Sequence, residues 1–188
     1  MGKDLFWKLL EPHHPKAAAF CTRLVGDRDD GDDLYQDALL AAMRKFDTLV
    51  DKTAFRAWLY RIIVNRFKNR CRGWWWRQRV ELSPSRPGPA SEDDPEARLE
   101  ARRELERLMA VLSPLDRVIV TLHEIEGWPT ADLAAVLGKP EGTIKTRIFR
   151  AKNKMRARLR RLKAVGRATS HEVCEVAYAV QRSQKAAD

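Results

Sequence analysis

Thr130-Ala131-Asp132-Leu133-Ala134-Ala135-Val136-Leu137-Gly138-Lys139-Pro140-Glu141-Gly142-Thr143-Ile144-Lys145-Thr146-Arg147 carries the pattern that decides the fold. Thr130 is a residue type that caps helices, and Leu133, Ala134 and Leu137 follow at helical spacing, so a short helix gains one apolar face. Ala134 sits where two helices must approach, which calls for a small side chain. Gly138, four residues on, falls at a turn that needs a left-handed backbone, and glycine adopts that without steric cost. Ile144, six residues after the glycine, points the next helix back into the core. This spacing of alanine, glycine and isoleucine in an amphipathic frame is a helix-turn-helix. The second helix is expected from Glu141 to about Lys163. Its first turns present Lys145, Thr146, Arg147, Phe149 and Arg150, side chains able to meet guanine edges, thymine methyls and phosphates in a major groove. The later bases, Lys152, Lys154, Arg156, Arg158, Arg160 and Arg161, lie all around the helix and suit phosphate contact.

Charge distribution agrees with an anionic partner. The 188-residue chain has a net charge of +10 and a pI of about 9.8, and eleven Lys or Arg against the single acid Glu141 fall between Lys139 and Lys163. A second run, Arg56 to Arg79, holds eight basic residues and no acid. The rest is net acidic, with Asp27, Asp29, Asp30, Asp32, Asp33 and Asp37 clustered. Two basic faces and one acidic face imply more than one partner.

Between Ser83 and Pro95 the composition shifts to Pro84, Pro87, Pro89 and Pro95 with Gly88, Ser83, Ser85 and Ser91, a stretch that behaves as an extended tether. The expected organisation is therefore all-α: two small helical domains, 1–80 and 97–163, joined by a flexible linker at 81–96 and followed by a tail, 164–188, that is either disordered or helical around Val173 to Val180. Expected helices span Asp4 to Leu10, Pro15 to Leu24, Asp30 to Phe46, Thr53 to Arg72, Pro95 to Leu112, Pro114 to Glu124, Thr130 to Leu137 and Glu141 to Lys163. Thr53 is expected to cap the fourth, and Ser113-Pro114 is a cap followed by first-turn proline. Leu34, Phe46 and Trp58 are expected in the core.

No apolar run approaches the roughly 20 residues of a membrane span, and the first residues lack a signal-peptide core. Cys21, Cys71 and Cys174 are scattered, giving neither disulfide framework nor zinc knuckle. The expected location is the cytoplasm. His13, His14, His123 and His171 lack metal spacing, and the chain has no phosphate-cradling glycine loop, nucleophile elbow or two-metal carboxylate set. A non-enzymatic protein without cofactor or metal is expected.

The second unit, Leu105 to Leu159, resembles region four of the sigma-seventy family, in particular its extracytoplasmic-function group. The resemblance is carried by Leu112-Ser113-Pro114-Leu115-Asp116-Arg117, Glu126-Gly127-Trp128, Leu133-Ala134, Leu137-Gly138, Glu141-Gly142-Thr143-Ile144-Lys145-Thr146-Arg147 and Phe149-Arg150-Ala151-Lys152. The first unit resembles region two through Asp33-Leu34-Tyr35-Gln36-Asp37, Met43-Arg44-Lys45-Phe46-Asp47, Phe55-Arg56-Ala57-Trp58-Leu59 and Asn65. The order, with only a linker between, matches the group that lacks a folded region three.

That resemblance implies a sigma factor, a subunit that directs core RNA polymerase to promoters. It implies minus-thirty-five contacts from Thr143, Lys145, Thr146, Arg147, Phe149, Arg150 and Lys152. The loop Asp47 to Thr53 corresponds to one that captures a flipped minus-ten base, with Lys52, Thr53, Arg61, Asn65, Asn69 and Arg72 around it; Asn69 stands where the family often has aspartate. Asp33, Gln36, Asp37, Leu40 and Met43 recur every three to four residues as one stripe, which in the family grips the β′ clamp helices, while region four meets the β flap. Promoter DNA and an anti-sigma factor are the other implied partners. Glu92, Asp93 and Asp94 resemble the family's acidic linker. Trp74, Trp75 and Trp76, set among arginines, either cover a helix end, bind a regulator or stack on bases. A free-standing helix-turn-helix regulator is the alternative.

Overall fold

The computed structural model describes residues 2–72 and 103–185, with the side chains of 4–72, 103–162 and 164. It is helical, with no strand among the described residues. Trp74 to Trp76, the linker and the first part of the helix expected from Pro95 lie outside the described residues.

The first unit contains α1 (Gly2–Leu10), α2 (His14–Val25), α3 (Arg28–Lys45) and α4 (Phe55–Arg72). Its core is built from one stripe of each helix: Phe6 and Leu10, then Phe20 and Leu24, then Leu34, Ala38 and Ala42, then Leu59, Ile63 and Phe67, all buried. Leu34 is fully buried and Phe46 nearly so, as expected. Trp58 is half-buried at the core's edge, with its ring 5.7 Å from Phe55 and 6.4 Å from Phe46. Helix α3 begins two residues earlier than its periodicity indicated, because Asp27 caps it by accepting the Asp30 amide at 3.0 Å. Asp29 and Asp30 in its first turn and Arg44 and Lys45 in its last both complement the helix dipole.

Gly31 explains how α2 and α3 pack so closely. A Cβ there would lie 2.6 Å from the Cα of Thr22 on α2, so only glycine fits without moving backbone. Two single-turn 3₁₀ helices, Phe46–Thr48 and Lys52–Ala54, join α3 to α4. The residue that caps this junction is Asp51 and not Thr53: its carboxylate accepts the Thr53 amide at 2.9 Å and the Thr53 hydroxyl at 2.6 Å, and α4 proper starts at Phe55.

The second unit contains α5 (residues 103–109), α6 (Pro114–Val120), α7 (Thr130–Leu137) and α8 (Glu141–Lys185). Ser113 caps α6 with Pro114 in the first turn, as expected. Helix α6 widens into a π turn at Thr121–Ile125, closed by Glu126 N–H on Thr121 O at 3.0 Å and Trp128 N–H on Leu122 O at 2.9 Å. Pro129, not Thr130, occupies the N-cap position of α7. Helix α8 continues past Lys163 to Lys185, so the backbone of the tail prolongs the recognition helix.

The two units share one core. Phe20, Leu24, Tyr60, Ile63 and Phe67 belong to the same buried cluster as Val118, Ile119, Leu122, Trp128, Leu133 and Val136. Tyr60 and Trp128 meet ring to ring at 4.7 Å, and the Arg56 guanidinium lies 3.9 Å over the Trp128 ring. The buried Arg117 donates to Leu24 O near the end of α2 at 2.9 Å, and Arg23 pairs with Glu126. Burial holds the Arg117 guanidinium below the usual arginine pKa. These contacts join residues roughly seventy to one hundred positions apart, and no local spacing announces them.

Candidate nucleic-acid interface

The turn between α7 and α8 is built as its residues demand. Gly138 has φ +61°, the left-handed conformation, and its N–H donates to Ala134 O. Ile144 and Ala151 are fully buried and Ile148 nearly so, which rolls one side of α8 onto α6 and α7 and turns the other to solvent. Thr143, Lys145, Thr146, Phe149 and Arg150 are exposed, and Phe149 keeps 65% of its surface. The Phe149 ring stands in water beside the exposed Arg150, an aromatic face and a cation both open to a partner.

The start of α8 is fastened by Glu141. The Thr130 hydroxyl donates to its carboxylate at 2.7 Å and Lys145 pairs with it at 2.8 Å. The hydrogen bond from Lys145, then that from Thr130, holds the Glu141 carboxyl below the usual range. Thr146 donates back to Gly142 O at 2.9 Å. Arg147 and Lys152 lie on the two flanks of the exposed face. Arg147 pairs with Asp116 at 2.7 Å and Lys152 with Glu124 at 2.8 Å, tying α8 to both ends of the α6 segment.

On the first unit, the loop 47–53 is pinned from inside. The Lys52 ammonium donates to Leu49 O and to Phe46 O, and sits 4.2 Å from the Phe46 ring centroid. Thr53 is exposed and held by Asp51, whose carboxyl these bonds keep below its usual range. Val50, at the tip, is 95% exposed. Asn65, Asn69 and Arg72 are exposed along one side of α4. Arg61 lies on the same side one turn earlier, where its guanidinium donates to Ala135 O at 2.5 Å and Val136 O at 3.2 Å. Those carbonyls belong to the last turn of α7, where helix carbonyls lack intrahelical donors.

On α3, Asp33, Gln36, Asp37 and Leu40 form an exposed stripe, Leu40 keeping 54% of its surface. Met43 is half-buried against the core. Asp37 is paired with Arg70 of α4 at 2.8 Å. The cysteines described are thiols inside the fold: Cys21 is buried, and burial pushes the Cys71 thiol up to about 12.

With this geometry in place, similarity to known proteins decides the family. The description "Sigma-70 region 2" matches residues 9–77 and "Sigma-70, region 4" matches residues 102–155. An RNA polymerase sigma-E factor of Streptomyces avermitilis is 36% identical over 139 residues, covering 73% of this chain and 75% of that one.

The chain belongs to the sigma-70 family.

It is a sigma factor of the extracytoplasmic-function group, similar to the ECF sigma factor SigM of Mycobacterium tuberculosis, at 33% identity over 84% of this chain and 76% of that one. Two solved structures share the arrangement. One is the sigma factor RpoE of Bartonella quintana in complex with the anti-sigma factor NepR, with a TM-score of 0.65 at 27% identity over 82% of this chain and 96% of that one. The other is CnrH in complex with the cytosolic domain of CnrY, at 0.60 and 30% over 82% and 86%.

Sequence reasoning missed the sigma factor's inter-unit residues. Arg56, Arg117 and Trp128 lie in quoted motif segments and Tyr60 directly follows one, yet their spacing speaks only of helices. Among the described residues no helix is long and apolar enough to cross a membrane.

Proposed function

We propose that this sigma factor binds core RNA polymerase through the α3 stripe, Asp33, Gln36, Asp37, Leu40 and Met43, and reads two promoter elements. The outward face of α8, with Thr143, Lys145, Thr146, Phe149 and Arg150, meets the minus-thirty-five element in the major groove, and Lys152 and the later bases add phosphate contacts. The pinned loop with Lys52 and Thr53, and the α4 side carrying Arg61, Asn65, Asn69 and Arg72, meets the minus-ten element. The units act as domains 1–80 and 97–163, with 81–96 as tether and 164–188 as a C-terminal tail whose backbone prolongs α8 as far as Lys185. The protein works in the cytoplasm, contributes no catalytic chemistry and takes no cofactor. An anti-sigma factor is a further partner, as NepR is for the similar sigma factor RpoE of Bartonella quintana.

The observation that carries this reading is the exposed Phe149-Arg150 face on a helix whose other side is locked into the core. Arg61 adds a condition: it cannot serve the Ala135 and Val136 carbonyls and DNA together. The two units therefore part when polymerase holds both, and the free chain binds DNA weakly and salt-sensitively. Run-off transcription with purified core polymerase tests the function. A promoter-specific product that requires the protein is expected, and none with the protein present would overturn the reading.

A further inference from the structure

Among the bases in the first turns of α8, Arg147 stands apart. At about 100° per residue, Thr146, Phe149 and Arg150 fall on the side opposite Ile144 and Ala151, whereas Arg147 falls about 60° from that buried stripe. Its guanidinium donates to Asp116 Oδ1 at 2.7 Å. Asp116 is 8% exposed and stands at the third position of α6, where its N–H donates to the Ser113 hydroxyl at 3.2 Å and its Oδ2 accepts that hydroxyl at 2.6 Å. Lys154, two turns after Arg147, approaches the same carboxylate at 4.0 Å.

One carboxylate thus closes the cap of α6 and holds the flank of α8. Removing Arg147 leaves the nearly buried Asp116 carboxylate with only the more distant Lys154 beside it, which is worse than losing an exposed pair. Ile144, Ile148 and Ala151 press α8 against its neighbours, but apolar contact is non-directional and tolerates rolling. A charged, directional bond 60° off that stripe fixes the roll, and the roll decides which atoms of Thr146, Phe149 and Arg150 reach base edges.

We propose that Arg147 is a positioning residue, setting the rotation of the recognition helix through Asp116 rather than touching DNA. The inference rests on the reading of α8 as the minus-thirty-five reader.

The test uses the full chain assembled with core polymerase, a promoter fragment found by run-off transcription, and a copy with a substituted minus-thirty-five element. R147A and D116N should each lower affinity for the intact promoter about tenfold and narrow its preference over the substituted copy. The double variant should be no worse than either single one. The dependence of log affinity on log salt should keep its slope, since no phosphate contact is lost. A DNA-contacting Arg147 behaves otherwise: R147A makes the slope shallower by about 0.9, while D116N, which frees the guanidinium, leaves binding unchanged or tighter. That pattern overturns the proposal.

If the single variants lose helicity, the reversed pair D116R/R147D decides. Recovery of minus-thirty-five preference supports the positioning role, and recovered helicity without preference overturns it. If the unaltered protein itself shows no preference for the intact element, the minus-thirty-five reading fails, and this inference with it.

Discussion

Helices α4 and α8 are both strongly basic, and they spend that charge differently. On α4, Arg56 covers the Trp128 ring, Arg61 satisfies the carbonyls closing α7, and Arg70 is paired with Asp37. Half of its six basic side chains thus hold the protein together. On α8, the paired bases Arg147 and Lys152 occupy the flanks, while Phe149 and Arg150 face water. A tally of Lys and Arg cannot separate these cases. What separates them is whether an acid, a carbonyl or a ring of the same chain already claims the cation.

The sharpest way to break the α4 side of this comparison is Trp128→Ala. Trp128 is 3% exposed, packed at a tilt against Tyr60 and under Arg56, and its indole N–H finds no acceptor among the described residues. Truncation should cost about 3–5 kcal/mol, the usual range for a buried tryptophan, seen as a lower urea midpoint. A midpoint within experimental error of the parent would mean the units do not pack through this ring.

On the α8 side, Phe149→Ala and Arg150→Ala should each weaken binding to the minus-thirty-five element by about 1–3 kcal/mol, the range for a base contact. Urea stability and core polymerase binding should stay as they are. Lost core binding in a pull-down would mean that this face meets polymerase instead of DNA.

Arg61→Ala should have a smaller effect on the free chain, about 0.5–1.5 kcal/mol for hydrogen bonds that solvent can partly replace. A destabilisation that disappears when the second unit is removed would place the loss at the α7 carbonyls, and one that persists would place it inside the first unit.

The gentlest probe is pH. His13 stacks on Phe55 in the first turn of α4, and burial, then Arg56 and Lys16, push its pKa below 6.5. The unfolded chain therefore binds this proton more readily. The associated stability is complete above about 6.5 and is lost as pH falls through the lower folded value. Urea midpoints at pH 7.5 and 5.5 should differ less in His13→Asn than in the parent; an equal difference in both would assign the acid sensitivity elsewhere.

Much of this architecture was legible in the chain because local rules produce it. Apolar periodicity marks the helices, Ser113-Pro114 marks the start of α6, and Gly138 with Ile144 marks the helix-turn-helix. Capping was read less well. Asp27, Asp51 and Pro129 hold cap positions that neighbouring Asp30, Thr53 and Thr130 could equally have held, and the choice depends on backbone angles set by tertiary packing. The docking of the two units was illegible for a deeper reason. Tyr60 with Trp128 and Arg61 with Ala135 are contacts across long sequence separation, and nothing in the spacing of either segment encodes its partner. For the same reason Arg147 reads from sequence as one more exposed base of a recognition helix, when its guanidinium is turned to Asp116.

The most direct measurement is energy transfer between dyes on exposed residues of the two units, at Lys16→Cys on α2 and Ala131→Cys on α7, with Cys71 and Cys174 replaced by serine. Transfer should be high in the free protein and fall when core polymerase binds, as Arg61 leaves the α7 carbonyls and both helices turn to the promoter. Low transfer in the free protein, or transfer that polymerase leaves unchanged, would contradict the account.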